Sequence, residues 1–154
     1  MNNGAKPSQI NFYYISSDFL DILTKLGEKL MGRTNKTLIL FEKLKDLNDT
    51  DRLLWVKEKG SFVPHKLINQ KIHEKDKIVL SQNLEIPNYL EKKFDTLIIS
   101  PEKSIKSFKL FKRFLVFCYK GSYQNFDSYK NKLGSLGFVV NGFEELKAFK
   151  WKSM

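Results

Sequence analysis

Thr37-Leu38-Ile39-Leu40-Phe41 is an unbroken apolar run of strand length after its opening threonine. A strand with one face in water alternates apolar and polar residues. A continuous run instead marks a strand covered on both faces, as in parallel sheets. Lys77 to Ser81 and Thr96 to Ser100 read as further strands, the second stopped by Pro101, and Phe111 to Tyr119 as another. Upstream, Asn11 to Ile15 (Asn-Phe-Tyr-Tyr-Ile) is aromatic and β-branched, the composition of a first strand. Ser16, Ser17 and Asp18 then offer N-cap oxygens to a helix in which Phe19, Leu20, Leu23, Leu26 and Leu30 recur at helical spacing and which Gly32 closes. Glu42 to Val56 mixes leucines with charges, and Asn48-Asp49-Thr50 is expected to break it into two helical pieces. Gly60 and Pro64 punctuate a loop over Gly60 to Leu67. Tyr123 to Leu136 reads as a helix with Phe126, Tyr129 and Leu133 on one side and Gly134 and Gly137 at its end, and Phe138 to Val140 as a last short strand. Strands alternating with helices predict a single three-layer α/β domain over residues 10–154. Its central sheet is expected to be mostly parallel and flanked by helices, Rossmann-like, after a short flexible tail at 1–9.

Bulk properties agree with one domain. The chain has 154 residues, 42% hydrophobic and 14% aromatic, which argues against a disordered chain. No apolar stretch is long enough to cross a bilayer, and Met1 to Gln9 lacks the apolar core of a secretion signal. The one cysteine, Cys118, lies in the apolar run Phe114 to Tyr119 and reads as a buried, inert thiol. A reducing cytoplasm fits. The net charge of +10 favours an acidic partner, either a phosphate backbone or an acidic protein segment. Its basic residues are nearly all lysine, with only Arg33, Arg52 and Arg113, and Lys, Asn and Ile are all frequent. A/T-rich coding would produce the same bias without selection for binding.

An α/β sheet hosts many nucleotide enzymes, yet their signatures are missing. No glycine-rich stretch precedes Lys-Ser or Lys-Thr, and Tyr14-Ile15-Ser16-Ser17-Asp18 stands where a Gly-x-Gly-x-x-Gly turn would follow the first strand. His65 and His73 are not at i, i+4 spacing, and Ser61 beside His65 lacks flanking nucleophile-elbow glycines. The sequence therefore predicts no catalytic residue, no metal and no cofactor. What remains is Asp51-Arg52-Leu53-Leu54-Trp55, followed by Gly60-Ser61-Phe62-Val63-Pro64-His65-Lys66-Leu67. Trp55 and Phe62 read either as core residues or, since Phe62 sits in a loop beside Val63-Pro64, as aromatics of a protein-binding patch. On the helix near the end, Tyr129, Lys130 and Lys132, with Lys120 after the preceding strand, read two ways as well. They form a core tyrosine on a solvated lysine face, or a slot for an acidic peptide ending in an aromatic ring.

A helix ending in Asp-x-x-Leu-Trp, then Ser-Phe-Val-Pro-His-x-Leu after a short gap, resembles the chi subunit family of bacterial DNA polymerase III. The opening Phe-Tyr-Tyr, the spacing of the alternating elements, the basic-aromatic last helix followed by Gly-Phe, and the closing Phe149-Lys150-Trp151-Lys152 agree with it. The resemblance implies a non-catalytic adapter with two protein-binding surfaces. One, around Trp55 and Phe62 with Val63, Pro64 and His65, meets the psi subunit or a helicase of the XPD/DinG type. The other holds the acidic C-terminal tail of single-stranded DNA-binding protein, with Tyr129, Lys130 and Phe138 as the nearest matches. The spacing from Tyr129-Lys130 to Gly137-Phe138 is one residue longer than the family pattern, which makes Lys132 the alternative to Lys130. The runner-up is a domain that binds nucleic acid directly through its basic surface; it requires aromatics on a strand face beside a basic groove.

Overall fold

The computed structural model describes residues 8–54, 63–103, 111–120 and 126–154. In chain order these form β1 (Gln9–Ile15), α1 (Phe19–Met31), β2 (Lys36–Leu40), α2 (Leu44–Leu54), β3 (Lys66–Leu67) and β4 (Ile78–Ser81). A 3₁₀ turn (Asn88–Leu90) precedes β5 (Phe94–Ile99), β6 (Arg113–Tyr119), α3 (Phe126–Ser135), β7 (Val139–Lys147) and β8 (Lys150–Ser153). The strands make one sheet in the order β3-β4-β2-β5-β6-β1-β7-β8. Every pairing is parallel except β7 with β8. The fold is thus α/β with a mostly parallel eight-stranded sheet and three helices among the described residues. Its order is not the 3-2-1-4-5-6 of dinucleotide-binding sheets, because β1 lies between β6 and β7.

The unbroken apolar runs do what their composition requires. All residues of β2 and of β4 are buried, because helices or loops cover both faces. On one face Ile15, Ile39, Leu80, Ile98 and Phe117 pack with Phe19, Ile22, Leu23 and Leu30 of α1 and Leu47 and Leu54 of α2. On the other, Ile10, Phe12, Leu38, Leu97 and Phe114 pack with Phe126 and Leu133 of α3 and with Leu90 of the 3₁₀ turn. Strand alternation sorts β1 between the two faces: Phe12 and Tyr14 belong to the α3 side, Tyr13 and Ile15 to the α1 side.

Five details differ from the sequence reading. Residues 44–54 form one helix rather than two pieces, because Asp49 pairs with Lys45 at 3.3 Å and Arg52 at 3.2 Å while Thr50 turns inward. No side chain caps α1, since the Ser17 hydroxyl is engaged by Glu145 instead. Lys66 and Leu67, expected in a loop, pair with β4. The last short strand is a nine-residue β7 with β8 added antiparallel to it. At the other end, Gln9 already belongs to β1, and Ser8 bonds to Phe111 and Val139; residues 1–7 of the expected tail lie outside the described residues.

Gly142 of β7 is demanded by close approach. A Cβ there would lie 2.5 Å from the Phe126 ring, so the absence of a side chain lets α3 settle onto the sheet. Lys36 is buried at the start of β2, where its ammonium donates to the carbonyls of His73 (2.7 Å), Glu74 (3.1 Å) and Asp76. Desolvation, aided by Lys77, lowers its pKa, and the carbonyls supply the bonds that a buried cation requires.

Candidate functional site

The helix-loop motif is built on α2. Trp55 and Phe62 lie outside the described residues, but both ends of the segment that carries them are described. The Val63 N–H donates to the Leu54 carbonyl at 3.0 Å, which closes the base of the loop. Val63 is buried, and its methyl groups fill the space left by Gly27 of α1, where a Cβ would meet Val63 Cγ2 at 2.8 Å. Pro64 is exposed. His65 is buried, with Nδ1 2.7 Å from the Val63 carbonyl and Nε2 2.7 Å from Asp51 Oδ1. The two ring nitrogens thus bridge the loop backbone at Val63 and the Asp51 carboxylate on α2. Of the residues assigned to this surface, Val63 and His65 therefore face inward and tether the loop. The positioning role of Asp51 went unnoticed in the sequence, although the Asp-x-x-Leu-Trp spacing carries it.

The second surface lies on the opposite face of the sheet. Tyr129 on α3 is 38% exposed. Its ring lies over Phe12 at 5.2 Å and 27°. Lys130 and Lys132 are exposed, and neither enters an ion pair among the described residues. Phe138 is half-buried against the same core cluster as Phe12, and its N–H returns to the Leu133 carbonyl. Lys120 is already committed, to Glu144 at 3.4 Å and to the Glu145 carbonyl. This end of the molecule thus presents an aromatic ring with uncompensated cations beside it, the complement of an acidic segment with an apolar terminus.

The place where related sheets hold a phosphate is filled from within. At the turn from β1 to α1, the Ser16 and Ser17 N–H groups donate to Glu145 Oε1 at 2.8 and 2.7 Å. The Ser17 hydroxyl and the Phe149 N–H donate to Oε2 at 2.6 and 2.8 Å. Burial raises the pKa of this carboxyl, but the Ser17 hydroxyl and the backbone N–H groups of Phe149, Ser17 and Ser16 more than offset it and bring it down to about 2. Next to this turn a crevice of about 420 Å³ at the carboxyl ends of the strands is lined by Asp18, Asp46, Asp49 and Glu102, with Lys43 as its one cation among the described residues. Such a lining repels a polyphosphate. Among the described residues no cluster of His, Cys, Asp and Glu suits a metal, and no helix is long and apolar enough to cross a membrane. Cys118 is half-buried, and desolvation pushes its thiol up to about 11, the opposite of an activated nucleophile.

The family model described as DNA polymerase III chi subunit, HolC, matches residues 8–127. No curated protein matches the chain. The matched stretch runs from β1 to the first turn of α3, so it includes the Asp51–Leu67 motif and ends before Tyr129. It covers well over half of the chain, and the chain belongs to the DNA polymerase III chi subunit family.

Proposed function

We propose that this accessory subunit of DNA polymerase III is a non-catalytic adapter. It joins the clamp loader, through the psi subunit or alternatively an XPD/DinG-type helicase, to the acidic C-terminal tail of single-stranded DNA-binding protein. The observation that carries the second link is the α3 surface, where Tyr129 lies over Phe12 beside Lys130 and Lys132, which have no acidic partner among the described residues. An acidic tail ending in phenylalanine would place its ring near Tyr129 and Phe138 and its carboxylates on the two lysines. The first link rests on the loop that the Asp51–His65 pair and the Val63–Leu54 bond hold by its base. Val63 and His65 are thereby fixed directly after Trp55 and Phe62, the aromatics that the family resemblance assigns to this partner.

A labelled acidic peptide ending in Asp-Phe tests the reading by fluorescence anisotropy. Binding is expected at roughly micromolar Kd, weakening as salt screens the charge pairs. Loss of the terminal Phe, or the Lys130→Glu or Lys132→Glu substitution, should weaken it at least tenfold. Peptide binding indifferent to its final ring and to both lysines refutes the tail assignment. For the loop, a Phe62→Ala variant should lose the psi or helicase partner in a pull-down while keeping its melting temperature.

A further inference from the structure

Between α1 and the β7–β8 hairpin lies a groove of about 380 Å³ on the sheet face opposite Tyr129. Its floor is aromatic. Tyr13 lies stacked between Phe117 at 4.9 Å and Phe143 at 5.2 Å, with the edge of Trp151 at 5.3 Å. Trp151 and Phe149 on the hairpin remain 37% exposed each. The opposite wall is α1, which contributes Lys25 and Lys29, both exposed and outside every ion pair among the described residues. Among the described residues no carboxylate lines the groove. Further along the same sheet face, Asn141 donates to the Asn11 side chain, so amide groups continue the row beyond the rings.

Phe149 adds an independent sign. It occupies the hairpin turn with φ +62°, a left-handed conformation that glycine or asparagine adopts at far lower cost. The turn keeps a phenylalanine whose N–H is fixed by Glu145 and whose ring lies under the Lys25 ammonium at 5.5 Å. Backbone strain retained for a large exposed ring gathers at binding sites.

Exposed π faces on a hairpin, beside lysines that meet no carboxylate among the described residues, are the composition of a single-strand stacking platform. We propose that this groove binds single-stranded nucleic acid, with a base stacked on Trp151 and Phe149 and the phosphates on Lys25 and Lys29. An enclosed slot for a terminal carboxylate would suit a peptide better, but the ammonium of Lys25 already sits over a ring rather than at the end of a cavity. The site lies across the sheet from α3, so it stands or falls separately from the tail reading.

The chain has two tryptophans, Trp55 and Trp151. In a Trp55→Phe background Trp151 is the only reporter. Titration with oligothymidylate of about 15 nucleotides, the span of one such platform, should quench its emission and raise the anisotropy of the labelled oligomer. Lys25→Glu with Lys29→Glu should weaken binding at least tenfold and abolish the quench. Lys75→Glu with Lys92→Glu, an equal charge change at exposed positions elsewhere, should weaken it less than threefold. Circular dichroism confirms that each variant is folded, and Trp151→Phe provides a milder second perturbation should the lysine pair unfold the chain. Equal weakening by both lysine pairs, or binding without any quench, reduces the effect to general positive charge and overturns the proposal. Displacement of the oligomer by the acidic Phe-terminated peptide, with quenching of Trp151 by that peptide, overturns it in favour of a peptide groove.

Discussion

Replacing Glu145 with glutamine keeps its shape and removes its charge. In the protein the carboxylate accepts from the Ser16 and Ser17 N–H groups, both serine hydroxyls and the Phe149 N–H. These partners use both oxygens, so a glutamine amide must point its NH₂ at donors whichever way it is turned. The magnitude follows from the titration of the carboxyl. Lowering its pKa from 4.5 to about 2, at about 1.4 kcal/mol per pH unit, stabilises the fold by about 3 kcal/mol. The folded-state value lies below the unfolded one, so this contribution is complete above pH 4.5 and disappears as pH falls towards 2. Urea denaturation of wild type and Glu145→Gln should therefore show a gap of about 3 kcal/mol at pH 7, narrowing steadily below pH 4.5. A gap under about 1 kcal/mol at pH 7, no larger than one ordinary hydrogen bond, or a gap of the same size at pH 7 and pH 3, would refute the reasoning.

Other substitutions probe separate parts of the argument. Gly142→Ala drives a methyl group into the Phe126 ring and should destabilise the domain by about 1–3 kcal/mol, as overpacking does, in the same urea assay. Gly27→Ala presses on Val63 at the base of the aromatic loop, so partner capture in a pull-down should fall by more than the change in melting temperature explains. Cys118, its thiol pushed up to about 11, should react with a disulfide reagent at pH 8 far more slowly than free cysteine, and equalise only in denaturant.

Strands buried on both faces were legible because burial leaves unbroken apolar runs, Leu38–Leu40 in β2 and Leu97–Ile99 in β5, and α1 was legible from its leucine spacing. What escaped the sequence depends on partners distant along the chain. Asn48-Asp49-Thr50 looks like a break until Lys45 and Arg52 are seen to flank Asp49 on one helical face. The strand β7 was cut short at Val140 because Gly142 and Glu145 carry no strand propensity; one is fixed by Phe126 and the other by the β1–α1 turn. The Asp51–Leu67 motif was recognisable as a pattern, yet nothing local says that His65 points inward to Asp51. The groove under Trp151 draws on β1, α1 and the β7–β8 hairpin, so no sequence window contains it.

The place of β1 in the sheet has a consequence for how the chain reaches its fold. Gln9 pairs with Arg113 on one side and Val139 on the other, roughly a hundred residues or more further along. Both hydrogen-bonding edges of β1, with Phe12, Tyr13 and Tyr14 between them, stay open until β6 and β7 have been synthesised. Strands β2, β4 and β5 pair within residues 36–99 and have their partners much sooner. Long-range pairing of this kind is slow, and an unpaired apolar strand invites association with other chains. The strand made first is thus among the last to be secured, and a ribosome-bound nascent chain cut short before β6 should expose β1 to chaperones while the β2–β4–β5 segment is already protected.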